Sequence, residues 1–229
     1  MATGREVKDR LYEQFARIGR AVASPKRLEL LDLLCQCEKT VEVLATQASL
    51  SVANTSRHLQ ILRGAHLIEG RREGLHVYYR LADEKVCEFF RSLRHLADSR
   101  LAEIDRIVSD YFDNRNKLQP IDRKRLLKKA KSGELLVLDV RPYDEFLSGH
   151  LPKARSMPLP ELKDRLEELP SDQEIVAYCR GPYCVLAREA VRFLRAKGFK
   201  AVRLEDGVAE WRKAGLPVVT GQKGSSRKR

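Results

Sequence analysis

Cys179 and Cys184 bracket a short stretch, Cys179-Arg-Gly-Pro-Tyr-Cys184, whose residue types and spacing could do sulfur chemistry. A cysteine reacts as its thiolate, and a thiolate is favoured by N–H groups and by positive charge nearby. Ile175-Val-Ala-Tyr178 is a short apolar run bounded by polar Ser171 to Glu174, and it reads as a buried parallel strand. Leu186, Ala190, Phe193 and Leu194 recur at helical spacing and predict a helix over 185–197. The residues between the two cysteines, Arg180, Gly181, Pro182 and Tyr183, therefore join a strand end to a helix start. Backbone N–H groups and the helix dipole there favour an anion such as a thiolate or persulfide. Arg180 adds positive charge. Cys179 is then either a nucleophile or a small buried apolar residue. Cys184 could resolve a persulfide on Cys179 into a disulfide or trisulfide, or pack under the helix start; both readings stay open.

The elements that must position this stretch occupy only part of the chain. Its 229 residues suggest one or two domains. Residues 1–119 hold 20 Lys and Arg against 17 Asp and Glu, a net of +3, whereas 120–229 hold 24 against 15, a net of +9. The total of +12 points to a polyanionic partner. Lys223, Arg227, Lys228 and Arg229, set among glycine and serine, predict a disordered basic tail over 221–229. Met1 to Arg20 is charged throughout and no segment approaches a membrane span, so a cytoplasmic protein with free thiols and no membrane partner is expected.

The first part reads as helices over 7–20 and 25–36, the second opened by Ser24 and Pro25 with Leu28, Leu31 and Leu34 facing a core. A third short helix runs through Val41, Val43 and Leu44. Ser51 caps a fourth, whose Val52, Thr55, Leu59 and Leu62 share one face. Asn54 and Arg57 point the other way, flanked by Ala53, His58 and Gln60, residue types that read base edges and phosphates. Leu67 to Leu81 alternates about a Glu73-Gly74 turn, with Arg71 and Arg72 near the tip of a hairpin. Helix, second helix and basic hairpin in this order describe a winged helix-turn-helix. Apolar residues over 83–113 keep a three-four spacing for about four heptads, which predicts one long helical segment buried against a second copy of the chain.

Pro25-Lys-Arg-Leu, Leu50 to Leu59 and Glu69 to Leu81 give residues 5–113 a resemblance to the ArsR/SmtB family of dimeric winged-helix repressors. The resemblance implies binding to double-stranded operator DNA as a homodimer. Arsenic-sensing members carry a Cys-x-Cys on the helix before the recognition helix, where Thr40 to Ala45 has no thiol, and no metal site is expected here. Cys35, Cys37 and Cys87 remain as possible sensor thiols.

Asn114 to Pro120 is polar and separates two differently patterned halves. The expected division is a DNA-binding and dimerisation domain at 1–114, a linker at 115–120 and a second domain at 121–220. That second part reads as a basic helix over 121–131 and strands at 135–140, 154–157, 175–178 and 201–204 interleaved with helices, hence a parallel α/β sheet. Leu138 to Pro158, Tyr178 to Cys184 and Leu204 to Trp211 resemble the rhodanese family of sulfurtransferases. The resemblance implies that Cys179 carries sulfane sulfur as a persulfide cradled by the amides of 180–184, and that Asp139, Arg141 and His150 have mainly structural roles. Asp206 stands where a second glycine usually precedes Gly207. Cysteine phosphatases on a related fold need an arginine six residues after the nucleophile, and that position here is Val185.

The expected fold class is an N-terminal winged helix-turn-helix domain with a β-wing, joined to a C-terminal α/β rhodanese-like domain whose parallel sheet is flanked by helices. The expected function is a DNA-binding regulator, a repressor, whose Cys179 persulfide signals sulfur status. The small partner would be a sulfane-sulfur donor such as thiosulfate, polysulfide or a low-molecular-weight persulfide, and no cofactor is expected. The alternatives are a protein that is primarily a sulfurtransferase, or a metal-responsive repressor with an inert second domain.

Overall fold

A computed structural model describes residues 2–113, 121, 123–132 and 135–221. The chain divides into two compact units, residues 1–100 and 101–229, and each is taken by itself. The expected linker at 115–120 and the tail beyond Gly221 lie outside the described residues.

The first unit runs α1 (Gly4–Val22), α2 (Pro25–Leu34), β1 (Lys39–Thr40), α3 (Val41–Gln47), α4 (Val52–Gly64), β2 (Ile68–Glu73), β3 (His76–Leu81) and α5 (Glu84–Arg100). Helix α1 starts earlier than its apolar spacing predicts because Thr3 and Glu6 form a capping box: the Thr3 N–H donates to Glu6 at 2.7 Å and the Glu6 N–H to the Thr3 hydroxyl at 3.3 Å. Ser24 does occupy the cap position of α2, but its side chain makes no cap bond, and Pro25 alone sets the start. Leu30, Leu31, Leu44, Leu59 and Leu62 are completely buried and form the centre of this unit. Ser51 caps α4 by accepting the Asn54 N–H at 3.2 Å. Thr55, Leu59 and Leu62 face inward, whereas Val52, the first helical residue, lies clear of the core and is exposed.

Strands β2 and β3 pair antiparallel with Glu73 opposite His76, so the turn is Gly74-Leu75, one residue beyond the expected Glu73-Gly74. A third strand joins them, β1 beside β3, with Lys39 opposite Tyr79. Two residues are too few for alternation to show in a sequence. The long helical segment expected over 83–113 is interrupted. α5 ends at Arg100, Leu101 adopts an extended conformation, and α6 (Ala102–Val108) continues into a π turn at Ser109–Asp113. The Ser99 hydroxyl donates to the Leu96 carbonyl at 2.9 Å, a local bond that competes with the helical ladder just before the break.

The second unit includes α6 and continues with α7 (Arg123–Ser132), β4 (Leu135–Asp139), α8 (Tyr143–Ser148), β5 (Arg155–Ser156), β6 (Glu174–Tyr178), α9 (Val185–Ala196), β7 (Ala201–Arg203) and α10 (Val208–Lys213). The four strands are parallel in the order β5-β4-β6-β7. Ile121 is a correction to the expected 121–131 helix: it bridges Leu204 and donates its N–H to the Arg203 carbonyl at 2.9 Å, and α7 starts two residues later.

Alternation along β6 explains why its sequence is apolar throughout. Ile175, Ala177 and Cys179 point to one face, against Ala187, Ala190, Val191 and Leu194 of α9. Val176 and Tyr178 point to the other, where Leu126 of α7 and Val208 and Trp211 of α10 cover them. A strand buried on both faces needs no polar alternation. Cys179 is thereby delivered to the α9 side at the carboxyl end of the central strand.

Candidate sulfur site and DNA-binding face

Cys179 is 1% exposed and lies at the base of the loop that opens α9. Its thiol donates to the carbonyl of Cys184 at 3.4 Å, and the two cysteines influence each other's charge. The amides of Gly181 and Ala187 reach the Cys179 sulfur, and those of Arg180 and Leu186 reach the Cys184 sulfur. The cradle thus differs from the expected run of amides 180–184. Ala187 and Leu186, in the first turn of α9, supply part of it, so the helix start does aim its donors at sulfur.

The charge is not where the sequence suggested. Burial pushes the Cys179 thiol well up, and its bond to Cys184 and the charge there push it further. Cys184 goes down to about 7, first because the Cys179 thiol donates to it, then through the amides of Arg180 and Leu186 and the Arg180 charge, against the effect of burial. Burial thus disfavours charge on Cys179, while the surrounding donors favour it on Cys184.

Arg180 acts on the loop's shape more than on sulfur. Its guanidinium binds the completely buried Glu145 of α8, at 3.0 Å through Nε and 2.6 Å through Nη2. Arg203 of β7 donates to the Pro182 carbonyl at 2.8 Å. Gly181 has a φ of +145°, a conformation that glycine alone adopts without strain. Gly207 is required for a second reason: a Cβ there would lie 2.8 Å from the Gly181 nitrogen and against the Arg180 carbonyl. Glu145, Arg203, Gly207 and Glu210, whose carboxylate accepts the Gly207 N–H at 3.0 Å, carry no motif signal of their own, because they reach the loop from distant elements. Asp206, the departure beside Gly207, is explained by Arg123 of α7, which binds its carboxylate at 2.6 Å. Val185 is 40% exposed and leaves the loop without a guanidinium at the position a phosphatase would use.

Asp139, Arg141 and His150 form a framework beneath this loop. The Asp139 carboxylate accepts from Arg141 at 2.6 Å and from the Tyr178 hydroxyl at 2.5 Å. Arg141 also donates to the Gly149 carbonyl at 2.7 Å, and the Tyr178 hydroxyl accepts the Leu151 N–H at 3.1 Å. His150 bonds the Phe146 carbonyl through Nδ1 at 2.8 Å and stacks on the Phe146 ring. The buried Asp139 carboxylate, Arg141 guanidinium and Tyr178 hydroxyl are thus all partnered, as burial demands.

In the first unit Ala53, Asn54, Arg57 and Gln60 lie exposed together on α4. His58 does not join them fully: it is half-buried, and its Nδ1 is buried without a hydrogen-bond partner among the described residues. On the wing Arg71 is held by Glu38 at 2.7 Å and by Glu73, which draws down its availability to an outside phosphate, while Arg72 reaches only the Gly74 carbonyl, at 3.4 Å. Cys35 and Cys87 are not free thiols as expected but disulfide-bonded, with Cα atoms 5.6 Å apart. The end of α2 and the first turn of α5 bring them together across 52 residues, a pairing that no local pattern announces. Cys37 accepts from the buried Lys39 ammonium at 3.3 Å. Among the described residues no group of three or more His, Cys, Asp and Glu is placed to hold a metal, and no helix is long and apolar enough to cross a membrane.

Comparison with known proteins assigns both units. Residues 24–69 match the bacterial regulatory protein, arsR family, and residues 122–214 match the rhodanese-like domain. Together they define a winged helix-turn-helix transcriptional regulator that carries a rhodanese-like domain. The chain is 44% identical to the HTH-type transcriptional regulator Rv0324 of Mycobacterium tuberculosis over 96% of its own length and 97% of that protein's, and it belongs to that family of ArsR-type regulators. The second unit alone is 30% identical over 91 residues to a sulfurtransferase of Allochromatium vinosum, covering 39% of this chain and 83% of that one. The solution structure of the homodimeric winged helix-turn-helix DNA-binding domain of Mb0332 from Mycobacterium bovis is 42% identical, with a TM-score of 0.41, over 44% of this chain and 94% of that one.

Proposed function

We propose that this regulator is a homodimeric repressor whose rhodanese-like domain takes sulfane sulfur onto Cys179 as a persulfide and thereby changes its affinity for operator DNA. The observation that carries the reading is the loop itself. A buried cysteine sits on a helix start, its sulfur and that of Cys184 receive backbone amides, and the guanidinium a phosphate would need is missing at Val185. A persulfide is a large, diffuse anion, suited to dispersed N–H dipoles rather than to bidentate recognition. Asn54, Arg57, Gln60 and Ala53 would face the major groove, with Arg72 at the backbone. Val7, Leu11 and Phe15 recur along α1 and are exposed in the single chain, as are Phe89 and Leu96 of α5. These faces would be covered in a dimer.

A second reading has its own observation in the Cys35–Cys87 disulfide, which joins the helix ahead of the wing to the helix after it. Sulfur passed on from Cys179 would open or lengthen that bridge, and the DNA-binding unit would respond there. While the two are bonded they are not thiolate ligands, which disfavours a metal inducer in this state. The test is a DNA titration of the full chain before and after treatment with glutathione persulfide, for the wild type and Cys179→Ala. A change in affinity in the wild type alone is expected. Equal affinities throughout would refute the signalling role, and sustained turnover of thiosulfate without any effect on DNA would favour a plain sulfurtransferase.

A further inference from the structure

The second cysteine of the loop does not sit where a merely space-filling residue would. Cys184 stands at the cap of α9, half-exposed, and its carbonyl accepts the Cys179 thiol at 3.4 Å. The turn between them is closed by the Cys184 N–H, which donates to the Gly181 carbonyl at 3.2 Å. Gly181 and Gly207 let this turn fold tightly enough to bring the Cys184 backbone onto the Cys179 sulfur five residues earlier.

We infer that Cys184 is the second reacting thiol of the loop: it takes the proton from Cys179 as that sulfur attacks the donor, and then displaces hydrosulfide from the Cys179 persulfide. The inference rests on the persulfide reading of Cys179. With a low-molecular-weight persulfide R–S–SH as donor, Cys179 attacks the outer sulfur, the sulfur–sulfur bond of the donor breaks, and RS⁻ leaves. The Cys179 proton passes to the Cys184 thiolate, so the first step yields Cys179–S–SH and Cys184–SH. Cys184 then loses its proton to RS⁻, which departs as RSH. The Cys184 thiolate attacks the Cys179 sulfur, the sulfur–sulfur bond of the persulfide breaks, and HS⁻ leaves with the persulfide proton. The two thiols are oxidised to a disulfide and the sulfane sulfur is reduced to sulfide, so no outside oxidant is needed. The low proton affinity of Cys184, about 7, keeps a useful share of it as thiolate at neutral pH.

The consequence is a loop that reports sulfane sulfur once and then rests as a disulfide until a cellular thiol reduces it. Such a loop suits a signal better than a turnover enzyme. The experiment uses the full chain, reduced and desalted without oxygen, then treated with one equivalent of glutathione persulfide. Sulfide is measured directly, and peptides are mapped under non-reducing conditions after trypsin. Cleavage after Arg165, Arg180 and Arg188 separates the cysteines onto peptides 166–180 and 181–188. In the wild type these peptides are expected joined, with sulfide released in proportion. In Cys184→Ser, where RS⁻ takes the Cys179 proton directly, peptide 166–180 should instead carry one added sulfur and stay unlinked to peptide 181–188. A wild type that keeps the added sulfur, with unlinked peptides and no sulfide, overturns the inference and leaves the persulfide reading standing. A wild type that neither gains sulfur nor links the peptides overturns both.

Discussion

Removing the Cys179 thiol should raise the proton affinity of Cys184, because that thiol's hydrogen bond is the largest cause of its depression. In the wild type Cys184 moves from the ordinary value of 9.0 to about 7. In Cys179→Ala the amides of Arg180 and Leu186 and the Arg180 charge remain, but burial opposes them, so the midpoint should return toward 9. At pH 7 the thiolate fraction then falls from about a half to about 1%, roughly 50-fold. A more basic thiolate is the better nucleophile, which offsets about 8-fold of this for a Brønsted slope of about 0.45, so alkylation at pH 7 should slow about 6-fold. The sign follows directly: in the wild type the rate of iodoacetamide capture on peptide 181–188 rises as pH passes upward through about 7, and in the variant the rise comes later. Mass measurement of acid-quenched samples over a pH series gives both midpoints. A variant midpoint still near 7, or a wild-type midpoint at 9 or above, would refute the shared-proton account of the pair.

Three further outcomes check other parts of the structure. Gly207→Ala should displace the Arg180–Gly181 backbone and abolish sulfur uptake at a stability cost of about 1–3 kcal/mol, read by peptide mass and by the fluorescence of Trp211, the single tryptophan, buried in the same unit. Asp139→Ala leaves Arg141 buried without its carboxylate and should cost about 3–5 kcal/mol in urea unfolding followed through Trp211; a loss below about 1 kcal/mol would show the framework to be dispensable. Arg57→Ala should weaken DNA binding and lower its salt slope by about 1, while Arg71→Ala, already neutralised by Glu38 and Glu73, should change fluorescence-anisotropy titrations far less.

The features legible in the sequence are those whose causes are local. Ile175 to Tyr178 followed by Cys179 and a helical pattern fixes strand, turn and helix within about twenty residues, and Leu67 to Leu81 with its glycine turn fixes the wing in fifteen. Residues that meet across the fold left no such trace. Glu145 lies 35 residues before its partner Arg180, and Cys35 lies 52 before Cys87. Lys39 and Thr40 form a strand only because β3 offers them an edge. The break at Leu101 was hidden for the opposite reason: apolar spacing continues across it, and nothing in that spacing registers the local Ser99 bond to Leu96. Asp206 read as a mere departure from the family pattern until Arg123, 83 residues away in the chain, supplied its reason.

Three arginines near the loop illustrate how the same residue type can build an anion site without touching the anion. Arg180 is fastened to Glu145, Arg203 to the Pro182 carbonyl and Arg123 to Asp206, so each holds backbone or a neighbouring element in place. Had any of them reached into the loop as a bare cation, an oxyanion would be the better guest, because a guanidinium offers two parallel donors to two oxygens. With the cations compensated, stabilisation of a charged sulfur falls to fixed N–H dipoles and to the partner thiol, which can give its proton up or keep it. A chloride, phosphate or sulfate gains little from a donor that is itself a thiol. Val185, where a phosphatase would place an arginine, and Cys184 one position earlier leave this loop without a bidentate cation and with a second thiol.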